Sequence, residues 1–272
     1  MSTDTGNDAR QQWKAWHEER TETVSAPYGP LALTGTYWIA DATEGRIPAI
    51  PGHWAVDGEN GERGGAVLLT ATAADGLTVD GRPLSGTVRL TADKGPAAAA
   101  RADHGGRKLV VIRREGLWAV RVYDPGSAGR RAFTAIDVFE YDEDWVSPGV
   151  FRPYDSRRRV SVRNADGRER GLGLDGELAF TAAGSGFTLQ VGVEVDGTLW
   201  AVFADGTSGD GSYRFRFLRT PAPGVDGRVT VDFNRALLPP CAFADHFICP
   251  CPPPGNTLPI VVPAGERRVL LG

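Results

Sequence analysis

Lys108-Leu-Val-Val-Ile-Arg-Arg-Glu-Gly-Leu-Trp-Ala-Val-Arg-Val-Tyr-Asp124 decides the fold class. Two runs rich in Val, Ile, Leu and aromatics, 108–113 and 117–123, flank the turn Arg113-Arg-Glu-Gly-Leu117, so the stretch reads as a hairpin. In its second arm strict alternation puts Ala119, Arg121 and Tyr123 on one face and Trp118, Val120 and Val122 on the other. Working outward, similar runs recur at 31–39, 66–72, 86–91, 160–162, 177–181, 187–195, 199–204, 212–218, 229–233 and 260–262, separated by Gly, Pro, Asn and Asp. A second hairpin is signalled at Val195-Asp-Gly-Thr198, where Asp-Gly suits the positive-φ positions of a tight turn. The expected fold is all-β, an antiparallel barrel-like or two-sheet structure of about a dozen strands, closed so that its edges are protected.

One helix is expected, over about 8–22, where Trp13, Trp16 and Arg20 fall at i, i+3 and i+7 among Gln, Lys, Glu and Arg. It docks by its tryptophans, and Ala26-Pro-Tyr-Gly-Pro30 ends it, because proline cannot continue the helical hydrogen bonding. The domain reading is a helical arm over 1–30 and a single β-rich domain over 31–272, with no internal repeat. The segment Asp93-Lys-Gly-Pro-Ala-Ala-Ala-Ala-Arg-Ala-Asp103 suits a surface loop or a short helix.

The 30 Lys and Arg against 34 Asp and Glu give a net charge of -4, which offers no general attraction to nucleic acid or to an acidic membrane. A local basic pocket is compatible with that balance. No apolar run approaches a membrane-spanning length and the N-terminus is polar, so a cytoplasmic protein is expected. The three cysteines all lie between Cys241 and Cys251, too localised for a secreted disulfide framework, and are expected to be reduced.

Three constellations carry candidate chemistry. Arg121, followed by Asp124-Pro-Gly-Ser127, suits bidentate capture of a carboxylate or phosphate, or else a structural Arg121–Asp124 ion pair. The stretch from Asp205 through Thr207 and Ser208 to Tyr213 is rich in Gly, Ser and Thr; it suits a backbone nest for an anion, or a plain hairpin loop carrying an exposed face of Arg214 and Arg216. The third is Asp232-Phe-Asn-Arg-Ala-Leu-Leu-Pro-Pro-Cys-Ala-Phe-Ala-Asp-His-Phe-Ile-Cys-Pro-Cys-Pro-Pro-Pro-Gly-Asn256. Cys241, His246, Cys249 and Cys251 are spaced poorly for zinc, and no metal is expected. A Cys241–Cys249 disulfide, buried thiols and a Cys241-His246-Asp232 catalyst are the remaining readings. His17, His53 and His104 lie in unrelated contexts. No Gly-x-Ser-x-Gly, Walker, Rossmann or His-Glu-x-x-His pattern occurs.

Several of these motifs together resemble domain-of-unknown-function family 1684 of bacteria and archaea. They are the helix from Trp13 to Arg20, Leu33-Thr-Gly-Thr-Tyr-Trp38, Arg121-Val-Tyr-Asp-Pro-Gly-Ser127, Asp232 to Phe243, Cys249-Pro-Cys-Pro-Pro-Pro-Gly-Asn-Thr-Leu258 and Ala264-Gly-Glu266. Cys241 and Cys249 follow the family pattern, whereas His246 and Cys251 depart from it. The resemblance implies an all-β fold and a shared functional surface, and supplies no substrate.

The functional expectation is a small anionic ligand or phosphorylated cofactor, of unknown identity, bound by Arg121, Asp124, Ser127, Asp205, Thr207, Ser208, Tyr213, Asp232, Asn234, Cys241 and Asn256. A flavin-type split barrel is one version of it. The alternatives are an acid–base hydrolase using Asp232 or Asp205 with Arg121, and a non-catalytic interaction protein in which Pro252–Pro254 is a stiff strap.

Overall fold

The computed structural model describes residues 2–58 and 65–272, with backbone alone for 2–6. Strand makes up 48% and helix 17%, so the fold is mostly β, with several antiparallel sheets that include a half-barrel. The chain divides into two compact units. One is Thr23–Phe133; the other joins the residues up to Glu22 to Thr134–Gly272. The helix α1 (Ser2–Ser25) overruns the expected 8–22 at both ends and stops ahead of Pro27, which has no N–H to donate.

The 23–133 unit contains β1 (Leu33–Trp38), β2 (His53–Asp57), β3 (Ala66–Ala71), β4 (Leu77–Val79), β5 (Arg82–Pro83), β6 (Gly86–Leu90), β7 (Ala102–His104), β8 (Arg107–Arg114) and β9 (Leu117–Tyr123). Among the described residues these form one sheet in the order β1-β9-β8-β7-β4-β5 and a second in the order β2-β3-β6. Arg113 pairs with Trp118 and Arg114 with Leu117, leaving Glu115 (φ 50°) and Gly116 (φ 84°) as the two-residue turn. Trp118, Val120 and Val122 enter the core with Leu109, Val111, Trp54 and Leu69, as the alternation requires. Ala119 and Tyr123 on the opposite face are buried too, so β9 is covered on both sides.

The second unit contains β10 (Phe133–Val138, its first residue in the other unit), β11 (Val146–Arg163), β12 (Glu169–Ala182), β13 (Ser185–Val193), β14 (Leu199–Phe203), β15 (Arg216–Thr220), β16 (Arg228–Asp232) and β17 (Glu266–Leu271). Among the described residues the main sheet runs β15-β14-β13-β12-β11-β16, and β10 pairs with β17. Burial alternates along β12, with Leu172, Leu174, Leu178, Phe180 and Ala182 on the inward face. Leu178, Phe180 and Ala182 pack with Leu189, Val191, Leu199, Ala201, Phe203, Val229, Val231 and Phe233, while Leu172 and Leu174 form a separate cluster with Val162. The edge of β15 is not bare. After β16 the chain makes a short turn over Phe233–Arg235, and Leu237 then exchanges both backbone hydrogen bonds with Phe217, at 2.8 and 2.7 Å. The sheet is thereby curled, and its terminal strand is paired on both sides.

The helix docks on this unit as its tryptophans predict. Trp13 is buried and donates from Nε1 to the Asn234 carbonyl at 2.8 Å. Two turns further on, Arg20 donates to Glu266 Oε1 at 3.1 Å and to the Leu238 carbonyl at 3.2 Å. Glu266 is fully buried, and its other oxygen accepts the Leu238 N–H at 2.6 Å. Gly265, before it, has φ 82°, and a Cβ there would lie 2.7 Å from the carbonyl oxygens of Phe233 and Ala236, so only glycine fits. Ala264-Gly-Glu266 and the Arg20 helix are therefore two halves of one structural joint.

Candidate functional site

A cavity of about 490 Å³ opens where the two ends of the curled sheet meet the helix. Its walls are Trp16, Thr198, Arg219, Thr220, Pro221, Thr230, Asp232, Arg235 and Leu237. Strand periodicity explains the polar lining: on β16, Val229 and Val231 point into the core, which leaves Thr230 and Asp232 on the opposite face. β15 supplies Arg219 and Thr220, and the turn after β16 supplies Arg235. Trp16 stands beyond the buried Trp13 on α1, and the Arg235 guanidinium carbon lies 5.5 Å from the centre of its ring, a cation–π arrangement that holds the charge at the cavity wall.

Asp232 is the carboxyl in this lining. Its Oδ1 accepts the Asn234 N–H at 2.9 Å and the Asn234 Nδ2 at 3.0 Å, while Oδ2 lies 3.5 Å from Arg235 Nε. Burial pushes its pKa up and outweighs the opposing pull of the Asn234 hydrogen bonds and of Arg235. Asn234 is itself fixed, since its Nδ2 donates to the Asp142 carbonyl and its Oδ1 accepts the Asp142 N–H. Two guanidiniums, three threonines and a carboxyl biased toward its neutral form thus line one space. A cavity of comparable size in the 23–133 unit, about 470 Å³, carries Asp41 and Glu44 against Arg46 and suits an anion less well.

The residues expected from sequence fall into separate settings. Arg121, Asp124 and Ser127 belong to the 23–133 unit. Arg121 interacts with the Tyr123 phenol, whose pKa burial raises and Arg121 lowers. Asp124 Oδ1 accepts the Gly126 N–H at 2.7 Å, and Ser127 caps the short helix α2 (Ala128–Ala132) while donating to the Leu31 carbonyl at 2.8 Å. The remainder belong to the other unit.

In the Asp205 loop the nest closes on its own carboxylate. Asp205 Oδ1 accepts the Thr207 N–H at 2.7 Å and the Val262 N–H at 3.2 Å, and Oδ2 accepts Arg216 Nη2 at 2.7 Å. Ser208 Oγ accepts the Asp205 N–H at 3.1 Å, and the Thr207 and Ser212 hydroxyls bond each other at 2.7 Å. The expectation that Arg214 and Arg216 form one exposed face is corrected here: Arg214 is exposed, but Arg216 is fully buried and also donates to the carbonyls of Val262 and Ala264. Its carbonyl partners lie 46 and 48 residues further on, which periodicity cannot show. Asn256 is likewise spent on the fold, its Oδ1 accepting the Gln190 N–H and its Nδ2 donating to the Gln190 and Val202 carbonyls.

Tyr213 and Cys241 do come together. The Tyr213 hydroxyl donates to the Cys241 carbonyl at 3.2 Å and lies 3.6 Å from its Sγ. The Cys241 N–H donates to Cys249 Sγ at 3.3 Å. Cys241 is lowered to about 7, first by the hydrogen bond from Cys249 and then by Tyr213 and Arg214, against the opposing effect of burial. Burial and the adjoining Cys241 push the Tyr213 phenol upward. Cys241, Cys249 and Cys251 are all thiols, with no disulfide among them.

Sequence reasoning missed Trp16, Thr198, Arg219, Thr220, Thr230 and Arg235 as cavity residues. The one available signal was Asp232-Phe-Asn-Arg235, read for its Asp and Asn but not for its Arg. No curated protein matches the chain. The solution NMR structure of an uncharacterized protein from Haloarcula marismortui is 30% identical, covering 50% of this chain and 77% of that one, with a TM-score of 0.42. The sequence profile described as "Protein of unknown function (DUF1684)" matches residues 131–267, which take in the Asp232 turn, both cysteines of the family pattern and the Gly265–Glu266 joint. By that match over half of its length, the chain belongs to the DUF1684 family.

Proposed function

We propose that this is a cytoplasmic protein that binds a small anionic ligand, a carboxylate or a phosphate ester, in the cavity between β15, β16 and α1. The observation that carries the reading is the convergence of Arg219 and Arg235 with Thr198, Thr220 and Thr230 on one space of about 490 Å³. Guanidiniums match the geometry of carboxylate and phosphate oxygens, and Thr230 adds a hydroxyl, while the Thr198 and Thr220 hydroxyls donate to Asp196 Oδ1 at 2.7 Å and to the Pro221 carbonyl at 2.9 Å. Trp16 gives the cavity an aromatic wall for the ligand's apolar part. Asp232 adjoins the same space, and the burial that raises its pKa makes it bind a proton more readily than an ordinary carboxyl as pH falls, which reduces its repulsion of an anion. The absence from the described residues of any helix long and apolar enough to cross a membrane is compatible with this setting.

Sulfate and a panel of short dicarboxylates and phosphate esters, titrated by calorimetry and thermal shift, test the proposal. Arg219→Ala and Arg235→Ala should each weaken binding about tenfold or more, the scale of about 1.4 kcal/mol per decade. Sulfate affinity should rise as pH falls toward the Asp232 pKa, and Asp232→Asn should flatten that rise. Equal affinities in the wild type and both arginine variants would refute the site.

The raised Asp232 also favours a second reading, in which the same carboxyl acts as an acid–base catalyst on the bound anion. Turnover of a panel member that is lost in Asp232→Asn while binding persists separates catalysis from binding alone.

A further inference from the structure

Tyr213, Arg214, Cys241, Cys249 and Cys251 form a cluster that the anion cavity does not use. Cys241 lies in the short turn Pro240–Ala242 and is 4% exposed, so small neutral reagents are favoured over bulky electrophiles. Its sulfur lies 3.6 Å from the Tyr213 hydroxyl, and Cys249, Tyr213 and Arg214 each favour negative charge on it. Cys249 Sγ in turn accepts the Cys241 backbone N–H at 3.3 Å, which places the second sulfur next to the first residue. Cys251 is half-buried, and burial raises its pKa, opposite to Cys241.

We infer that Cys241 and Cys249 form a reversible thiol–disulfide pair that is oxidised by hydroperoxides, with Cys241 as the attacking sulfur and Cys249 as the resolving one. In the first step the Cys241 thiolate attacks the peroxide O–O bond. An S–O bond forms, the O–O bond breaks, and the departing oxygen takes a proton as water or an alcohol; the sulfur is oxidised to sulfenic acid and the peroxide is reduced. In the second step Cys249 sulfur attacks the sulfenic sulfur, an S–S bond replaces the S–O bond, and the hydroxyl leaves as water with the Cys249 proton. Arg214, next to Cys241, stabilises the thiolate and the charge on the departing oxygen, and Tyr213 holds the thiolate by its hydroxyl.

The bridge would tie the Pro240–Ala242 turn to Cys249, whose carbonyl accepts the Ala165 N–H at 2.8 Å just beyond β11. A thiol reductant restores the pair.

The test is intact mass and peptide mapping of the full chain after a modest excess of hydrogen peroxide and then a thiol reductant. The expected result is a loss of two hydrogens, a cross-link joining the Cys241 and Cys249 peptides, and reversal by the reductant. Cys249→Ser should stop at the first step and leave a single oxygen on Cys241, trapped by a sulfenic-acid reagent. Cys251→Ser should oxidise as the wild type does, and Tyr213→Phe should oxidise several-fold more slowly. Three intact thiols after treatment, or oxidation confined to Cys251, would overturn the inference. The wild-type mapping decides the matter even if a variant fails to fold.

Discussion

Burial governs the protonation of Asp232, and stability follows with a definite sign. A carboxyl whose folded pKa is raised above the ordinary 3.8 binds its proton more tightly in the folded chain. Its stabilising contribution is full below 3.8 and is lost as pH rises through the folded value. Asp232→Asn cannot ionise, and its side-chain oxygen can still accept from Asn234. The variant should be more stable than the wild type at neutral pH, with the difference shrinking as pH falls toward 4, measured as the gap between their urea midpoints across that range. A constant gap would mean that the carboxyl titrates normally. At this scale the sequence showed residue types but not partners. Asp205, Asn234 and Asn256 were singled out as polar residues in unusual surroundings, which they are, yet their hydrogen bonds go to Arg216, Asp142, Gln190 and Val202, none predictable from spacing. Arg219 carried no local signal, because a strand arginine at a sheet end looks like any solvated one.

Among the elements, α1 carries most of the surprise. Its amphipathic spacing announced a docking helix, and Trp13 does dock, but Trp16 serves the cavity wall and Arg20 reaches β17. Trp13→Ala should cost about 3–5 kcal/mol of stability by denaturant titration, the usual range for emptying a buried aromatic site. It should also weaken sulfate binding, since the Trp13 indole holds the carbonyl of Asn234, whose side chain orients Asp232. The hairpin at Glu115–Gly116 was legible because its chemistry is local. Strand β11 was mostly invisible: only 160–162 was read as extended, and the element contains Pro148 and Pro153, which strands disfavour. The element survives through its pairing with β12 on one side and β16 on the other, with the register shifting between Pro153 and Arg158. The seventeen strands among the described residues exceed the dozen expected: β4, β5 and β7 are too short to show a period, β2, β10 and β17 were also not read, and 260–262, read as a strand, is irregular.

Across the whole molecule, the all-β class was readable from composition and turn chemistry, while the unit boundaries after Glu22 and Phe133 fall inside a helix and at a strand start, where nothing in the sequence marks them. The 23–133 unit is continuous in sequence and has its own core of Trp54, Leu69, Leu109, Trp118 and Val120. A fragment of residues 23–133 should therefore fold alone, giving a cooperative thermal transition and dispersed amide resonances. A broad, non-cooperative melt would show that its core is insufficient. The other unit cannot finish early. The Arg20–Glu266 joint links residues 246 positions apart, so on a ribosome adding roughly 5–20 residues per second the helix waits on the order of tens of seconds for its partner strand. During that wait the tryptophan-bearing face of the helix has no sheet to cover it, so the half-made chain is at its most exposed to wrong contacts before the last strand arrives.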